Sequence, residues 1–578
     1  MRRICLSVLL MTFAVAGHAQ QAPLPENKKL RDVLTRIDSF NTAETKRDST
    51  LGRPLGSHGE EDYQRNYHFF QRLDAEMRKL DTAGFSFADR INYELLLYSF
   101  EDDISTWKYK SYLNPLLADG GFHTYLPQMG NSSLQTKKEF EDYIKRMRDI
   151  RRYVDEHLVL MRKGLGIGVS QPAVIFTGYE STYNQHIVST ADSSAFFKPF
   201  QNKPAGIAAQ DWDKLVSEAR TVVMNDVVPS YKKISDFFKN EYLPKTRKTL
   251  GASEMPDGRA FYNERIKHYT TLNTNADEVF ITGLREVERI HKEMLDVMAK
   301  ASFKGSLQEF ILFLRTDPRF YPKTADDLLK EAAWIAKKAD NSLPLLFGKL
   351  PRQPYGVEPV PASLAPVYTA GRYSGSPIKS KRAGHYWVNT YNLPSRTLYT
   401  LEALTLHEAV PGHHLQIALT QELDNLPQFR RNLYVNAFGE GWGLYCEFLG
   451  YEMGFYKDPY SRFGQLTYDM WRACRLVIDV GIHAKGWTRD QAVTYLSENT
   501  ALSLHEVNTE INRYISWPGQ ALAYKTGELT IKSLRKKATE VLGEKFDVRS
   551  FHDMILSEGT VTMEILTKMT DQYIAKNK

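Results

Sequence analysis

Two short runs hold the residues best suited to chemistry: LTLHEAVPGHHLQ (404–416) and GEGWGLYCE (439–447). His407 is a metal-ligand type followed directly by Glu408, a general-base type. His413, His414, Glu440 and Glu447 complete the set. Metal-dependent hydrolysis needs two imidazoles, a carboxylate ligand and a second carboxylate that takes a proton from an activated water. The familiar arrangement is HExxH, which puts two histidines at i and i+4 on one helix face. Here position i+4 from His407 is Pro411, which binds no metal, and Pro411-Gly412 predicts a break or kink. On an unbroken helix His414, at i+7, would share the face of His407 but stand about 10 Å along the axis. A local bulge absorbing two residues makes His413 the effective i+4 partner, so His413 is favoured and His414 is the alternate. Glu440 follows His413 by 27 residues, past the turn signal LDNLPQ. That is enough chain to finish one helix, turn, and bring a second helix antiparallel to it. Glu447, close to two turns further on, is placed to fix a histidine tautomer.

HEAVPGHHLQ with EGWGLYCE resembles a large bacterial family long catalogued as a domain of unknown function and marked by HExxPGHHxQ. That family resembles the gluzincin metallopeptidases. Its look-alikes are the helical thimet-type oligopeptidases and the Taq-type carboxypeptidases, which carry HExGH and a downstream Glu ligand. Gly412-His413 matches their Gly-His, so the resemblance also favours His413; the departure is the two-residue insertion. It implies a mainly α-helical, two-lobed clamshell with a small β-sheet in the C-terminal half, its cleft floored by residues 407–447. It also implies one metal ion, zinc by default, held by His407, His413 and Glu440, with Glu408 as general base. Manganese or cobalt suits the same ligands.

The elements that must position these residues can be read along the chain. With 578 residues, the chain is long enough for more than one domain. Net charge is +6, two of the positive charges being Arg2 and Arg3, and Lys and Arg are dispersed, so nucleic acid is not an expected partner. Residues 1–19 read as a secretory signal: a charged start, an apolar run from Ile4 to Ala16, and small residues before a cut after Ala19. Cys5 sits too early for lipid attachment. No later segment is long and apolar enough to span a membrane, so a periplasmic or secreted location is expected. Beyond the leader only Cys446 and Cys474 remain, either one disulfide or two buried thiols.

Residues 20–345 read as a helical N-terminal region, with apolar residues at three- and four-residue spacing between charged ones, as in 63–80, 137–165 and 275–303. Seven prolines within 343–377 deny long helix and favour extended chain, placing a boundary near 345. Residues 346–578 form the catalytic region. In it GHYWVNTYNLP (384–394) alternates like a strand. In metallopeptidases of the resembled kind such a strand is an edge that binds extended substrate, from which Asn389 and Tyr391 could act. Asp479 and His483, at i and i+4, suit a carboxylate that orients a catalytic imidazole. In NRYISWPGQALAYKTG (512–527), Arg513 could anchor a substrate carboxylate, and Tyr514 and Tyr524 could donate to an oxyanion or contact substrate. The resembled family carries RYxxxPGQAxxY here, which strengthens Tyr524. The expected function is an exported zinc-dependent peptidase or amidase acting on peptide-like substrates. The alternative is a degenerate clamshell that binds peptides without cutting them, favoured by the Pro411-Gly412 break.

Overall fold

The computed structural model describes residues 24–362, 365–378 and 382–578. The leader expected at 1–19, Cys5 included, lies outside the described residues. The protein is mainly α-helical, with two small sheets. The helices that carry the argument are α1 (Lys28–Thr50), α2 (Glu60–Met77), α3 (Phe87–Lys108), α4 (Lys137–Gly166), α5 (Ala276–Lys300) and α6 (Ala325–Leu346) in the N-terminal part. In the C-terminal part they are α7 (Leu401–Glu408), α8 (His413–Glu422), α9 (Asn436–Leu449), α10 (Pro459–Lys485), α11 (Leu504–Ser516) and α12 (Ala523–Leu542).

The capping rules hold where they can be read. Thr136 accepts from the Glu139 amide, and Glu139 returns the bond to the Thr136 amide, closing a capping box that starts α4. Phe140, Tyr143, Ile144, Met147, Ile150, Val154, Leu158 and Met161 then line its buried face. Helix α10 is different: its side chains from Phe463 to His483 are all buried, so it runs through the middle of the molecule. It starts at the Asp458 cap and stops at Gly486, whose φ of 71° a side chain would oppose. Along it lies α5, brought close because a Cβ on Gly283 would stand 2.8 Å from Leu476 and Val477. Lys525 of α12 is fully buried and pairs with Asp469, Glu286 (3.2 Å) and Glu528 (2.9 Å), tying α5, α10 and α12 together. Cys446 and Cys474 are both buried free thiols.

Around position 345 helix gives way to sheet: α6 ends at Leu346 and the first strand of a three-stranded sheet begins at Tyr355. One hydrophobic core nevertheless runs on across it, from Ile91 to Ile574. The first, two-stranded sheet pairs β1 (Leu116–Leu117) with β2 (Gly120–Gly121). The second has β3 (Tyr355–Pro359), β4 (Gly371–Ser374) and β5 (Gly384–Val388) in the order β3-β5-β4, β3 parallel and β4 antiparallel to β5. This corrects the expectation for residues 384–394: their strand is central, with both edges occupied. The edge strand near the site is β4, drawn from the proline-rich stretch. Among the described residues no helix is long and apolar enough to cross a membrane.

Several imidazoles are packed away from water. Burial pulls His123, His483 and His552 down to about 3, His186 to about 4, and His157 well below its ordinary value. Each is neutral when folded and takes a proton near 6.5 when unfolded, so the stability it contributes is whole above pH 6.5 and is lost as pH falls toward 4. The loss is up to about 1.4 kcal/mol per group per pH unit. Asp479 and Glu506, raised to about 7 by burial, act in the opposite sense. Being fewer, they do not cancel it. The melting temperature should therefore fall steadily between pH 6.5 and 4.5; a flat profile by scanning calorimetry would contradict this packing.

Candidate metal centre

The break at Pro411-Gly412 splits the expected helix in two. Helix α7 stops at Glu408, Ala409 and Gly412 leave helical geometry (ψ −108° and −130°), and α8 starts at His413. The Val410-Pro411 bond is cis. Gly412 packs so tightly that a Cβ there would stand 1.9 Å from the His407 carbonyl oxygen. The Trp442 indole N–H donates to the Pro411 carbonyl at 2.9 Å, pinning the turn onto α9. The result brings His413 back beside His407, ring centroids 4.8 Å apart. His414 points away: its Nδ1 lies 2.9 Å from the Tyr373 hydroxyl, and burial lowers its pKa to about 4.

Glu440 meets both imidazoles from α9. Its Oε2 is 3.7 Å from His407 Nε2 and 3.5 Å from His413 Nε2. One donor atom from each of these three residues lies within 4.8 Å of the others. His407 Nδ1 donates to Glu447 Oε1 at 2.8 Å, which turns Nε2 toward Glu440. Arg472 of α10 backs Glu447 at 3.1 Å. Burial alone would lower the pKa of His407, but the Glu440 and Glu447 carboxylates bonded to it outweigh that and raise it to about 10. Burial likewise pushes Glu440 up, and His407 and His413 overcome it, holding that carboxyl well below its ordinary range. Two imidazoles and a carboxylate facing one point fit a first-row dication such as zinc.

Glu408 stands beside His407, with its Oε2 accepting the Tyr373 backbone N–H at 2.7 Å. That amide belongs to the free edge of β4, so strand and base are coupled. Tyr434 donates to Glu440 Oε1 at 3.3 Å. Tyr524 comes close because α9 and α12 cross nearly backbone to backbone: a Cβ on Gly527 would be 2.0 Å from the Ala437 carbonyl, and one on Gly441 2.5 Å from Gly527 Cα. Burial and the Glu440 charge push the Tyr524 phenol up, but Arg513 and Arg475 outweigh them and hold it below the ordinary tyrosine range. Arg513 Nη2 donates to the Tyr524 oxygen at 3.2 Å, and the Arg475 guanidinium lies 4.0 Å from the centre of the Tyr524 ring.

The other expected site residues are placed elsewhere. His483 is not catalytic: its Nδ1 accepts from the Ala252 amide and its Nε2 donates to the Tyr514 carbonyl, both at 3.0 Å, so neither nitrogen is available. Asp479 does not orient it; the carboxylate accepts from the Tyr262 hydroxyl at 2.7 Å and the Gly519 amide at 3.2 Å. Asn389 is fully buried and donates to the carbonyls of Ala365, Tyr368 and Thr369, so it fixes the loop before β4 and does not meet substrate. Tyr514 accepts from Trp471 at 2.7 Å and Arg475 at 2.9 Å, supporting the wall behind Tyr524. Tyr434 and Arg372 had no signal in the sequence: neither falls in a periodic run or a motif.

The profile of the family described as "Bacterial protein of unknown function (DUF885)" matches residues 47–569. The chain belongs to this family. Among curated proteins none matches it. Among solved structures, this DUF885 chain is similar to "the putative lipoprotein from Colwellia psychrerythraea", 27% identical with a TM-score of 0.82 over 90% of this chain and 92% of that one. It shares its fold with "a putative lipoprotein of unknown function from Shewanella oneidensis", 16% identical with a TM-score of 0.66 over 88% and 92%.

Two outcomes follow from the geometry. In His413→Ala metal content should fall to a small fraction of that of the unaltered protein, while His414→Ala should keep it; elemental analysis showing the reverse would reassign the ligand. Gly527→Ala should lower stability by roughly 1–3 kcal/mol because its new Cβ meets backbone that cannot rotate away. An unchanged denaturation midpoint would contradict the close crossing.

Proposed function

We propose that the protein is an exported, metal-dependent hydrolase of peptide-like amide bonds, with the gluzincin type of ligand set. His407, His413 and Glu440 hold the ion, Glu408 is the general base, and Tyr524 stabilises the oxyanion. The observation that carries this reading is the convergence of the three ligand atoms within 4.8 Å beside a carboxylate already held by a backbone amide. Export fits the leader pattern of residues 1–19 and the lipoprotein descriptions of both structural neighbours.

A bound dication would polarise a substrate carbonyl and acidify a water beside it. The residues supply the rest. Glu408 has one oxygen occupied by Tyr373 N–H and the other available to take the proton and pass it to the leaving amine. Tyr524 receives its hydrogen bond from Arg513, so its own O–H is directed outward, and its lowered pKa makes it a stronger donor to negative charge growing on the carbonyl oxygen. Glu447, backed by Arg472, fixes the His407 tautomer before any ligand arrives. The Pro411-Gly412 break, which in the sequence favoured binding without cutting, here delivers His413 to the cluster and so favours an enzyme.

Glu408→Gln should retain its metal and lose about 10²–10⁴-fold in turnover of a short-peptide mixture. Turnover by the unaltered protein should stop on chelation. A Glu408→Gln variant near the original rate would remove Glu408 as the base, and chelator-insensitive cleavage would remove the metal from the mechanism.

A further inference from the structure

Two guanidinium groups lie near Glu408 and Tyr524, beside the cluster. Arg513 reaches it from α11. Its Nη2 serves Gln520 (3.0 Å) and Tyr524 (3.2 Å), its Nη1 is 3.5 Å from Glu510, and its buried Nε has no partner. Arg372 reaches it from β4, one residue before the amide that holds Glu408. The Arg372 guanidinium lies 5.4 Å from the centre of the Tyr368 ring. Among the described residues no carboxylate forms an ion pair with it. Arg372 is exposed to solvent. Burial and Arg513 oppose its charge, and Tyr368, Glu408 and Tyr524 together outweigh them.

The opposite rim carries one compensating charge. The β1–β2 hairpin is fastened to the end of α11 by Ala118 N–H donating to Ser516 Oγ at 3.0 Å, and by Gln171 donating to the carbonyls of Leu116 (2.9 Å) and Ser516 (2.8 Å). Asp119 at its turn acts on Arg513 and on Tyr368. Arg513 therefore has Asp119 and Glu510 for company, while Arg372 has Glu408 nearby but forms no ion pair with a carboxylate among the described residues. A guanidinium keeps its proton, and so its charge, in such a place. It is stabilised when an anion arrives, and a carboxylate offers it two parallel bonds.

We propose that Arg372, with Arg513 opposite, binds the free C-terminal carboxylate of a peptide substrate, so that the site releases one or two residues from the C-terminus. The inference rests on the peptide-hydrolase reading above and deepens it. Its register comes from β4: Arg372 is adjacent to the residue whose amide fixes the general base, and one extended residue spans about 3.3–3.6 Å. An anion held there lies one or two residues beyond an amide at the cluster. The reaction is hydrolysis alone: water adds its hydroxyl to the carbonyl carbon, the C–N bond breaks, and the proton leaves on the amine.

The test uses one short peptide in two forms, free acid and C-terminal amide, with the unaltered protein and Arg372→Gln. The unaltered protein should favour the acid by about tenfold or more in kcat/KM, the scale of a hydrogen bond to a charged group. Arg372→Gln should lose most of that preference through KM, at unchanged metal content, with at most about a twofold loss for the amide. Equal cleavage of the two forms by the unaltered protein overturns the carboxylate site and leaves the hydrolase reading standing. If neither form is cut, calorimetric binding of the same two peptides decides. Tighter binding of the acid, lost in Arg372→Gln, keeps the carboxylate site and removes the hydrolase reading; equal binding, or none, overturns the site as well.

Discussion

Helix α9 carries no side chain at three alternate positions because other parts of the molecule occupy those places. A Cβ on Gly439 would meet the Tyr434 hydroxyl at 2.2 Å, one on Gly441 the backbone of α12 at 2.5 Å, and one on Gly443 the His407 ring at 2.7 Å. Glu440 sits among them. The same short run thus admits the hydroxyl that touches Glu440, the helix that delivers Tyr524, and the imidazole that faces it. Close approach of backbone to ring and of helix to helix is the condition on which the whole cluster depends, and glycine is the residue that permits it.

Such closeness carries an electrostatic cost. Glu447, Arg472, His407 and Arg475 are all buried, and charges taken out of water are stabilising only when their partners are in place. The chain Arg472–Glu447–His407 meets this condition on one side of the cluster, and Arg475–Glu510 meets it on the other at 2.8 Å. Both chains start from α10, whose side chains from Phe463 to His483 are all buried, and the second ends on α11. The imidazole and the phenol are therefore held by arginines that never reach the reacting atoms. Arg372, by contrast, lies over the Tyr368 ring and forms no ion pair with a carboxylate among the described residues.

Much of this was legible in the residues, and the part that was not has a physical reason. Helical periodicity marked the long helices, and HEAVPGHH with EGWGLYCE marked the cluster, because its residues are few, distinctive and close in sequence. The motif did not say that Pro411-Gly412 would end one helix and begin another; a bulge and a full break give the same spacing. The sheet order was hidden because β4 is four residues long and lies in proline-rich chain, so 384–394 looked like an edge when it is the centre. Asp479 and His483 sit at the right helical spacing to pair, yet tertiary partners more than thirty residues away satisfy each of them. Asn389 and Tyr514 were expected to meet substrate, but both spend their hydrogen bonds on the protein itself. Spacing along one helix cannot show which neighbour from another element wins.

The claim on which the account stands is that His407, His413 and Glu440 together bind one metal ion. Anomalous diffraction from crystals of the protein grown with zinc tests it directly. The account predicts a single strong peak about 2.0–2.2 Å from one nitrogen of each histidine and an oxygen of Glu440. A peak bound through His414, or no peak at this cluster in zinc-saturated crystals, would contradict it.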